Sequence, residues 1–323
     1  MADNIFEALK KALPGLKRGE LMTKHTTFEI GGPAEYFYIA KKQEDVSRAI
    51  ASAKKLKLPL FIFGGGSNLL VSDNGLKGLV VRMQSSEKVF PVLLGNRLKA
   101  YAGVSLGSVV SFSIKKSLKG LEWAGGLPGT FGGAVRGNAG AFGGEMKDSI
   151  ISVQALDHNF SLRHFDHGQC GFSYRSSVFK EKSWTIVSAT VKLQKGHRKE
   201  LQAIADSRVA YRKEKHPLEY PSAGSVFKNI PVENIPEEFK QFFWDKVKQD
   251  PFPIVPAAWF IIGAGLTGRQ VGKAQISNKH SNYMVNIGGA KAKDVLALID
   301  LAKKEVKKKY QIDLEVEVQF VGE

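Results

Sequence analysis

The chain is 323 residues long, 43% hydrophobic and 24% charged, enough for two or three domains with apolar cores of their own. A formal net charge of +16 suits anionic partners: nucleic acid, a membrane surface or phosphate-bearing small molecules. The sequence has no run of 18 apolar residues, and its one cysteine, Cys170, excludes an internal disulfide and a cysteine-built metal site.

In chain order, MADNIFEALKKALPG reads as a short amphipathic helix that stops at Pro14-Gly15, with no apolar stretch long enough for a secretion signal, so a cytoplasmic protein is expected. EYFYIA (35–40) predicts a strand, EDVSRAIASAKKL (44–56) a helix, and LPLFIFGGGSNLL (58–70) a buried strand running into a glycine turn. GLVVRM (78–83) is a further strand, and GVSLGSVVSFSIKKSL a strand end followed by a helix. The first 120 residues therefore alternate strand and helix. Residues 125–146, GGLPGTFGGAVRGNAGAFGGEM, hold nine glycines and show neither helical nor strand periodicity. SIISVQALD, FSLRHF and TIVSATVKLQ then predict a β-rich segment. Helices return from HRKELQAIADSRVAYRKEKHP onward. AKDVLALIDLAKKEVKKKY (292–310) spaces Val295, Leu298, Ile299, Ala302, Val306 and Tyr310 as one helix face, and its lysine-rich end reads as a solvated terminus suited to the helix dipole. The chain closes on an alternating strand, LEVEVQFVGE, with Glu315, Glu317 and Gln319 on one face and Leu314, Val316, Val318 and Phe320 on the other. Boundaries are expected near Lys195-Gly196 and, more weakly, near residues 84–98.

Two glycine loops carry the first functional signal. FGGGSN (63–68) follows a buried strand, and its bare backbone and the donors of Ser67 and Asn68 form a plausible pyrophosphate cradle. It is neither the dinucleotide fingerprint nor a P-loop, and alone a tight structural turn explains it equally well. In 125–146, Pro128-Gly129-Thr130 makes a stiff turn with a hydroxyl, and Gly132, Gly133, Asn138, Gly140 and Ala141 line a path of small residues. Together the loops suggest a dinucleotide-sized anionic ligand. HFDH (164–167) puts its two histidines on opposite sides of a strand, so no metal is expected.

TTFEIGGPAEYF, FGGGSNLLVSDNGLKGLVV, GGLPGTFGGAVRGNAGAFGGEM, CGFSYRSSVFK, PSAGSVFKN, GAGLTGRQVGKAQISNKHSNYMVN and LEVEVQFVG occur in this order. From about Thr26 to Gly322 the chain resembles the UDP-N-acetylenolpyruvoylglucosamine reductase (MurB) family. The resemblance implies an α+β architecture: a vanillyl-alcohol-oxidase-type FAD-binding fold of two α/β subdomains (1–84 and 85–196) and a C-terminal α/β domain for the UDP-sugar (197–323). It implies non-covalent FAD held by Gly64, Gly65, Gly66, Ser67, Asn68, Pro128, Gly129, Thr130, Gly132, Gly133, Asn138, Gly140 and Ala141. NADPH would be the hydride donor and UDP-N-acetylglucosamine enolpyruvate the substrate, in peptidoglycan precursor synthesis, with no nucleic acid and no membrane insertion involved.

The same resemblance assigns roles to residues that read as unremarkable alone. Arg175 in FSYRSS, by itself a strand-end surface arginine, matches the family's holder of the enolpyruvyl carboxylate. Ser225 in SAGSVFKN, by itself a turn serine, matches the proton donor. Glu317, by itself part of a solvated face, matches the second glutamate of the family's C-terminal motif, although Val316 and Gln319 replace the usual proline and arginine. Tyr174, Asn229 and Lys215 match substrate contacts, with Lys213 close enough to compete for the last role. KLQKGHRKELQAI passes from strand to helix without the tyrosine-bearing loop of some members, like the subgroup that lacks it. Rival readings are another FAD-dependent oxidoreductase of this fold and a basic nucleotide-binding protein. The latter needs a concentrated basic stripe and exposed aromatics that the sequence does not display. Arg136, where a small or apolar residue is expected, has no explanation at this level.

Overall fold

The computed structural model describes residues 2–85 and 91–322. The strand and helix alternation of the first 120 residues builds a four-stranded sheet in the order Lys17–Leu21, Pro33–Ala40, Leu76–Met83, Leu60–Phe63, its last pair parallel. Helix Gln43–Lys55 buries Val46, Ala49, Ile50 and Ala53, the i, i+3, i+4, i+7 stripe of its sequence. Asp45 fixes its start by accepting hydrogen bonds from the Lys41 and Lys42 amides. The β-rich segment supplies an antiparallel five-stranded sheet in the order Leu162–Asp166, Ile150–Leu156, Thr185–Lys192, Arg97–Tyr101, Val92–Leu94. Both sheets feed one apolar core, with Tyr36 and Val81 from the first, Val46 from the helix on it, and Leu98, Val153 and Val191 from the second.

The chain divides into two compact units. The first comprises residues 1–20, 34–65 and 77–210, and the second 21–33, 66–76 and 211–323. Near Lys195-Gly196 the texture changes from strand to helix as expected, whereas the units part at Ala210/Tyr211, inside helix Arg198–Lys215. The weaker expected boundary near 84–98 falls partly on residues 86–90, which lie outside the described residues.

In the second unit an antiparallel sheet runs Ser222–Ser225, Tyr283–Asn286, Ala274–Ile276, Gln270–Val271. Helix Ala292–Tyr310 buries Val295, Leu298, Ile299, Ala302, Val306 and Tyr310, the face read from its spacing. Asp73 completes the start of that helix, accepting from the amides of Ala292 (2.8 Å) and Lys293 (3.2 Å). Gly75 has φ +81°, and a Cβ there would lie 1.9 Å from the Pro33 carbonyl oxygen, so only glycine lets these two loops meet. Phe243, Phe260 and Tyr310 form an aromatic cluster beneath helix Ala257–Gly263, with ring centroids of Phe243 and Phe260 4.2 Å apart.

Two expectations need correction. Residues 125–146 contain a short helix, Phe131–Arg136, which buries Phe131, Gly132, Ala134 and Val135. The glycines that hide its periodicity are there for close packing: a Cβ on Gly132 would sit 2.4 Å from the Ala102 Cβ. At the C-terminus only Gln319–Val321 is strand, paired in parallel with Leu69–Val71, and Val316 makes a single bridge to Phe227. Phe320, assigned by alternation to the apolar face, is 50% exposed, because the backbone bends between these two pairings.

Phe260 is fully buried among Phe243 and Tyr310. Phe260→Ala is expected to destabilise the protein by about 3–5 kcal/mol, through lost transfer energy and a residual cavity. A lowered urea-unfolding midpoint checks this, and a loss below about 1 kcal/mol would contradict the packing described.

Candidate active site

In the first unit, strand Leu60–Phe63 delivers the chain into Gly64-Gly65. A Cβ on Gly64 would lie 2.2 Å from Thr130 Oγ1, and one on Gly65 2.7 Å from the Gly129 Cα. The two glycine loops therefore touch, backbone against backbone, and form one surface. Gly129 has φ +106°, and its carbonyl accepts from the Leu106 amide. Thr130 begins helix Phe131–Arg136 in extended geometry, its Oγ1 accepting from the Gly133 amide. Pro128 and Gly133 are exposed beside it, while Gly132 is buried. Gly140 and Ala141 pair with Gly144-Glu145 in a short hairpin. A surface of bare backbone amides and one hydroxyl, with no Cβ to hold a ligand off, fits a flat, diphosphate-bearing cofactor such as FAD.

Asn138 serves the scaffold of this surface. It is fully buried in left-handed backbone (φ 41°). Its Nδ2 donates to the Ser173 carbonyl and its Oδ1 accepts from the Lys147 amide, both at 3.0 Å. That clamp leads directly to Arg175. Arg175 also takes left-handed backbone, at φ 55°, a conformation that a non-glycine residue holds only under constraint from its surroundings. Its Nη2 donates to the Gly140 carbonyl at 2.8 Å, its guanidinium lies 5.0 Å from the Tyr174 ring centroid, and its carbonyl accepts from Lys180 Nζ. A Cβ on Gly140 would lie 2.7 Å from Glu145 Cγ and 3.1 Å from Arg175 Nη1, so this glycine makes room for both side chains. Arg136 ends the short helix: its carbonyl accepts from Ser177 Oγ, and burial pulls its guanidinium below the ordinary arginine value.

In the second unit, Gly66 has φ +66°, and a Cβ there would lie 2.3 Å from the His25 carbonyl oxygen. Ser67 is half-buried. Asn68, expected to contact the cofactor, holds the C-terminal segment. Its Nδ2 donates to the Glu317 carbonyl, and its own carbonyl accepts from the Gln319 amide. Ser225 ends a strand whose register against Tyr283–Asn286 is interrupted at Gly224 (φ +79°), a bulge of the kind that re-aims a side chain. The following residues are clamped by the buried Asn282, which accepts from the Phe227 amide and donates to its carbonyl. They pair with the C-terminal segment: the Glu317 amide donates to the Val226 carbonyl and the Lys228 amide to the Glu315 carbonyl. Ser225 and Glu317 therefore stand on neighbouring segments, both half-buried. Glu315 is exposed and salt-bridged to Lys228, which separates the two glutamates of the motif.

The candidate substrate contacts fare differently. Asn229 Oδ1 accepts from the Ala257 amide at the start of a helix. Lys215 is exposed and sits on its neighbour Glu214, while Lys213 receives Lys279 on its carbonyl. Sequence reasoning missed a buried polar cluster. Tyr283, opposite Ser225 in the sheet register, has its hydroxyl 3.1 Å from His216 Nδ1 and its ring 4.9 Å from His280. Burial pushes the Tyr283 hydroxyl up to about 12, with Glu317 adding to the rise and Arg212 opposing it. Burial likewise lowers His280 and Arg212. Polar residues inside an otherwise apolar strand, SNYMVN, were the available signal. His164 and His167 lie apart, the latter's Nδ1 beside the Ile150 carbonyl, and no group of three or more metal-binding side chains is found among the described residues. Burial pushes the Cys170 thiol up to about 12, so it is an inert packing group.

Residues 34–165 match the family described as FAD binding domain, and residues 216–321 the UDP-N-acetylenolpyruvoylglucosamine reductase, C-terminal domain. UDP-N-acetylenolpyruvoylglucosamine reductase of Caldanaerobacter subterraneus subsp. tengcongensis is 37% identical over 100% of both chains. The Clostridium novyi enzyme of the same name is 39% identical over 95% of this chain and 92% of its own. The solved structure of the Thermus caldophilus UDP-N-acetylenolpyruvylglucosamine reductase matches with a TM-score of 0.74 at 30% identity, covering 95% of this chain and 99% of that one.

Gly65→Ala forces the two glycine loops apart. Overpacking of about 1–3 kcal/mol, if lost entirely from binding, corresponds to roughly 5- to 150-fold weaker FAD binding, read by titrating apoprotein with flavin. Undiminished affinity would show that the loop contact does not matter to the cofactor. A second expectation concerns pH. Burial first, then His280 and Arg212, push His216 down to about 4, so folding favours the neutral ring. The stability this ring permits is present above its ordinary value of 6.5 and is lost as pH falls from there toward 4. His216→Gln is expected to flatten the fall in melting temperature across that window, and an unchanged slope would place the titration elsewhere.

Proposed function

The chain belongs to the UDP-N-acetylenolpyruvoylglucosamine reductase family, and from that premise we propose how its own residues share out the reaction. The enzyme reduces UDP-N-acetylglucosamine enolpyruvate to UDP-N-acetylmuramate with NADPH, in peptidoglycan precursor synthesis. Its fold is the vanillyl-alcohol-oxidase type with a C-terminal substrate domain. The chemistry that bound FAD supplies is the relay of a hydride from NADPH to the terminal carbon of the enolpyruvyl group.

The protein must do three things around that transfer: hold the substrate carboxylate, protonate the neighbouring carbon, and keep both groups in place. Arg175 takes the first task. Its planar guanidinium can bind two carboxylate oxygens, stabilising the enolate-like anion that the hydride leaves behind. Ser225 takes the second. A serine hydroxyl is a weak acid, so it can donate only to a strong carbon base and only when held in position. The Gly224 bulge and the Asn282 clamp supply that position. Glu317 lies beside this segment, its amide on the Val226 carbonyl and its carbonyl held by Asn68, and orients the proton supply. The pairing of residues 226–228 with 315–317 is the observation that supports this assignment most directly. Tyr174, Asn229 and Lys215 or Lys213 complete the substrate contacts, of which Asn229 acts through the helix start that it holds.

We further assign residues 1–84 and 85–196 to the two parts of the FAD-binding region and 197–323 to UDP-sugar binding. The direct passage from strand Thr185–Lys192, through the short pair at Gln194-Lys195, to helix Arg198–Lys215 favours the subgroup without a tyrosine loop. The enzyme's work is placed in the cytoplasm, where its nucleotide substrates are made. Among the described residues no helix is long and apolar enough to cross a membrane.

Ser225→Ala tests the assignment by half-reactions. Flavin reduction by NADPH is expected at the parent rate, while reoxidation by the enolpyruvyl UDP-sugar slows by about 10²–10⁴, the usual contribution of a positioned general acid. Stopped-flow absorbance reads both. Parent-like reoxidation would remove Ser225 from the proton-donor role.

A further inference from the structure

The second unit exposes an aromatic surface made by residues other than those assigned to the reductase reaction. In the segment Gln241–Lys246, Phe243 turns inward onto Phe260, while Phe242 and Trp244 turn out and are 64% and 74% exposed. On helix Ala257–Gly263, Phe260 and Ile261 are buried, while Trp259 and Ile262, one turn apart, are exposed. Lys246 bridges the two elements, its Nζ 4.6 Å from the Trp259 ring centroid. The end of helix Ala292–Tyr310 abuts the same place. Tyr310 packs on Phe239, Phe243 and Phe260, Lys309 donates to the Gly263 carbonyl, and Gln311 donates to Glu238. That helix end carries Lys303, Lys304, Lys307, Lys308 and Lys309, all exposed. The nearby carboxylates Glu237, Asp245 and Asp313 already sit on Lys240, Lys246 and Lys307.

We propose that this surface docks the enzyme on an anionic phospholipid bilayer, with Phe242, Trp244, Trp259 and Ile262 entering the headgroup boundary and the lysine-rich helix end facing the lipid phosphates. Exposed tryptophan and phenylalanine beside lysines are the combination that an interface rewards: rings sit at headgroup depth, and cations gain from the negative surface potential. Contiguous exposed apolar surface marks an interaction site rather than ordinary solvated surface. Charge decides the occupant. A second copy of a chain with net charge +16 would bring one lysine cluster toward another, whereas an anionic bilayer attracts it. The docking is peripheral and reversible, and it leaves the reductase chemistry untouched.

Co-sedimentation of the FAD-loaded enzyme with vesicles tests this. Binding to equimolar phosphatidylglycerol and phosphatidylcholine vesicles at about 0.1 M salt is expected, with little binding to pure phosphatidylcholine, a blue shift of tryptophan emission, and weakening as salt rises. Phe242→Ser with Trp244→Ser, and separately Lys303→Glu with Lys304→Glu and Lys308→Glu, should each weaken vesicle binding at least tenfold while solution reductase activity stays at the parent level. That activity shows that the variants fold. Equal partitioning to neutral and anionic vesicles would overturn the proposal, as would binding unchanged in both variants. So would dimerisation in light scattering that the aromatic variant abolishes, or tighter binding to single-stranded RNA than to the vesicles.

Discussion

Backbone lying against backbone, with no Cβ between, is the constraint on which this protein's architecture rests. It joins the two glycine loops at Gly64-Gly65 and Gly129-Thr130, and it joins the Gly75 turn to Pro33. It also brings Gly125 onto Ala205, where a Cβ would lie 2.5 Å from the carbonyl oxygen, while at Gly144 the bare backbone lies against a side chain, a Cβ there falling 2.4 Å from the Trp123 ring. Each contact trades conformational entropy for proximity, since a glycine loses more freedom on folding than any other residue. The trade is worthwhile only where a side chain would displace something needed. Within 125–146, Gly125, Gly132, Gly140 and Gly144 serve contacts within the protein that leave no room for a Cβ.

Buried amide side chains perform the complementary task. Asn138, Asn282 and Asn286 each bond backbone groups on segments distant in sequence, and Asn68 does so half-buried. An asparagine carries both donor and acceptor, so one buried side chain can satisfy an amide and a carbonyl that no strand ladder reaches. Removing such a clamp would leave two buried backbone groups unpaired, a larger penalty than the net worth of either bond. The chain around Ser225 and Glu317 is irregular, with a bulge, a single bridge and a two-way asparagine clamp. It holds its shape through these bonds rather than through regular pairing.

Periodicity made most of the fold legible. Helix Ala292–Tyr310 buries the six residues that its spacing marks, because burial and helical period are one signal there. Helix Phe131–Arg136 escaped because glycine at 132 and 133 carries no hydrophobic signal, though the packing is tight. The C-terminal segment misled because alternation presumes a straight strand, and this one bends between Val316 and Gln319. At the site, Arg175, Ser225 and Glu317 were legible only through resemblance. A lone arginine, a serine after glycine and a glutamate in an alternating strand each have commoner explanations. Asn68 and Asn138 stand in glycine loops and Asn229 was assigned by resemblance, and in sequence an asparagine looks the same whether it binds a ligand or the protein's own backbone. The His216, Tyr283, His280 cluster gave no sequence signal strong enough to unite residues so far apart.

Arg175 gathers these themes into one argument about reactivity. Its left-handed backbone is unfavourable for a residue with a Cβ, and that strain persists only because the surroundings overdetermine it. Lys180 holds its carbonyl, Tyr174 carries the face of its guanidinium, and the Gly140 carbonyl takes one of its five donors. A guanidinium fixed on one edge and stacked on one face has little rotational freedom left to lose on taking the carboxylate that we propose for it. Its entropy of ordering has already been met in folding. Lysine could keep the charge but would lose the stack and the planar fork, so orientation distinguishes arginine here. Gly140 therefore both admits the close approach of its hairpin and, through its carbonyl, fixes one edge of the guanidinium that we propose holds the substrate carboxylate.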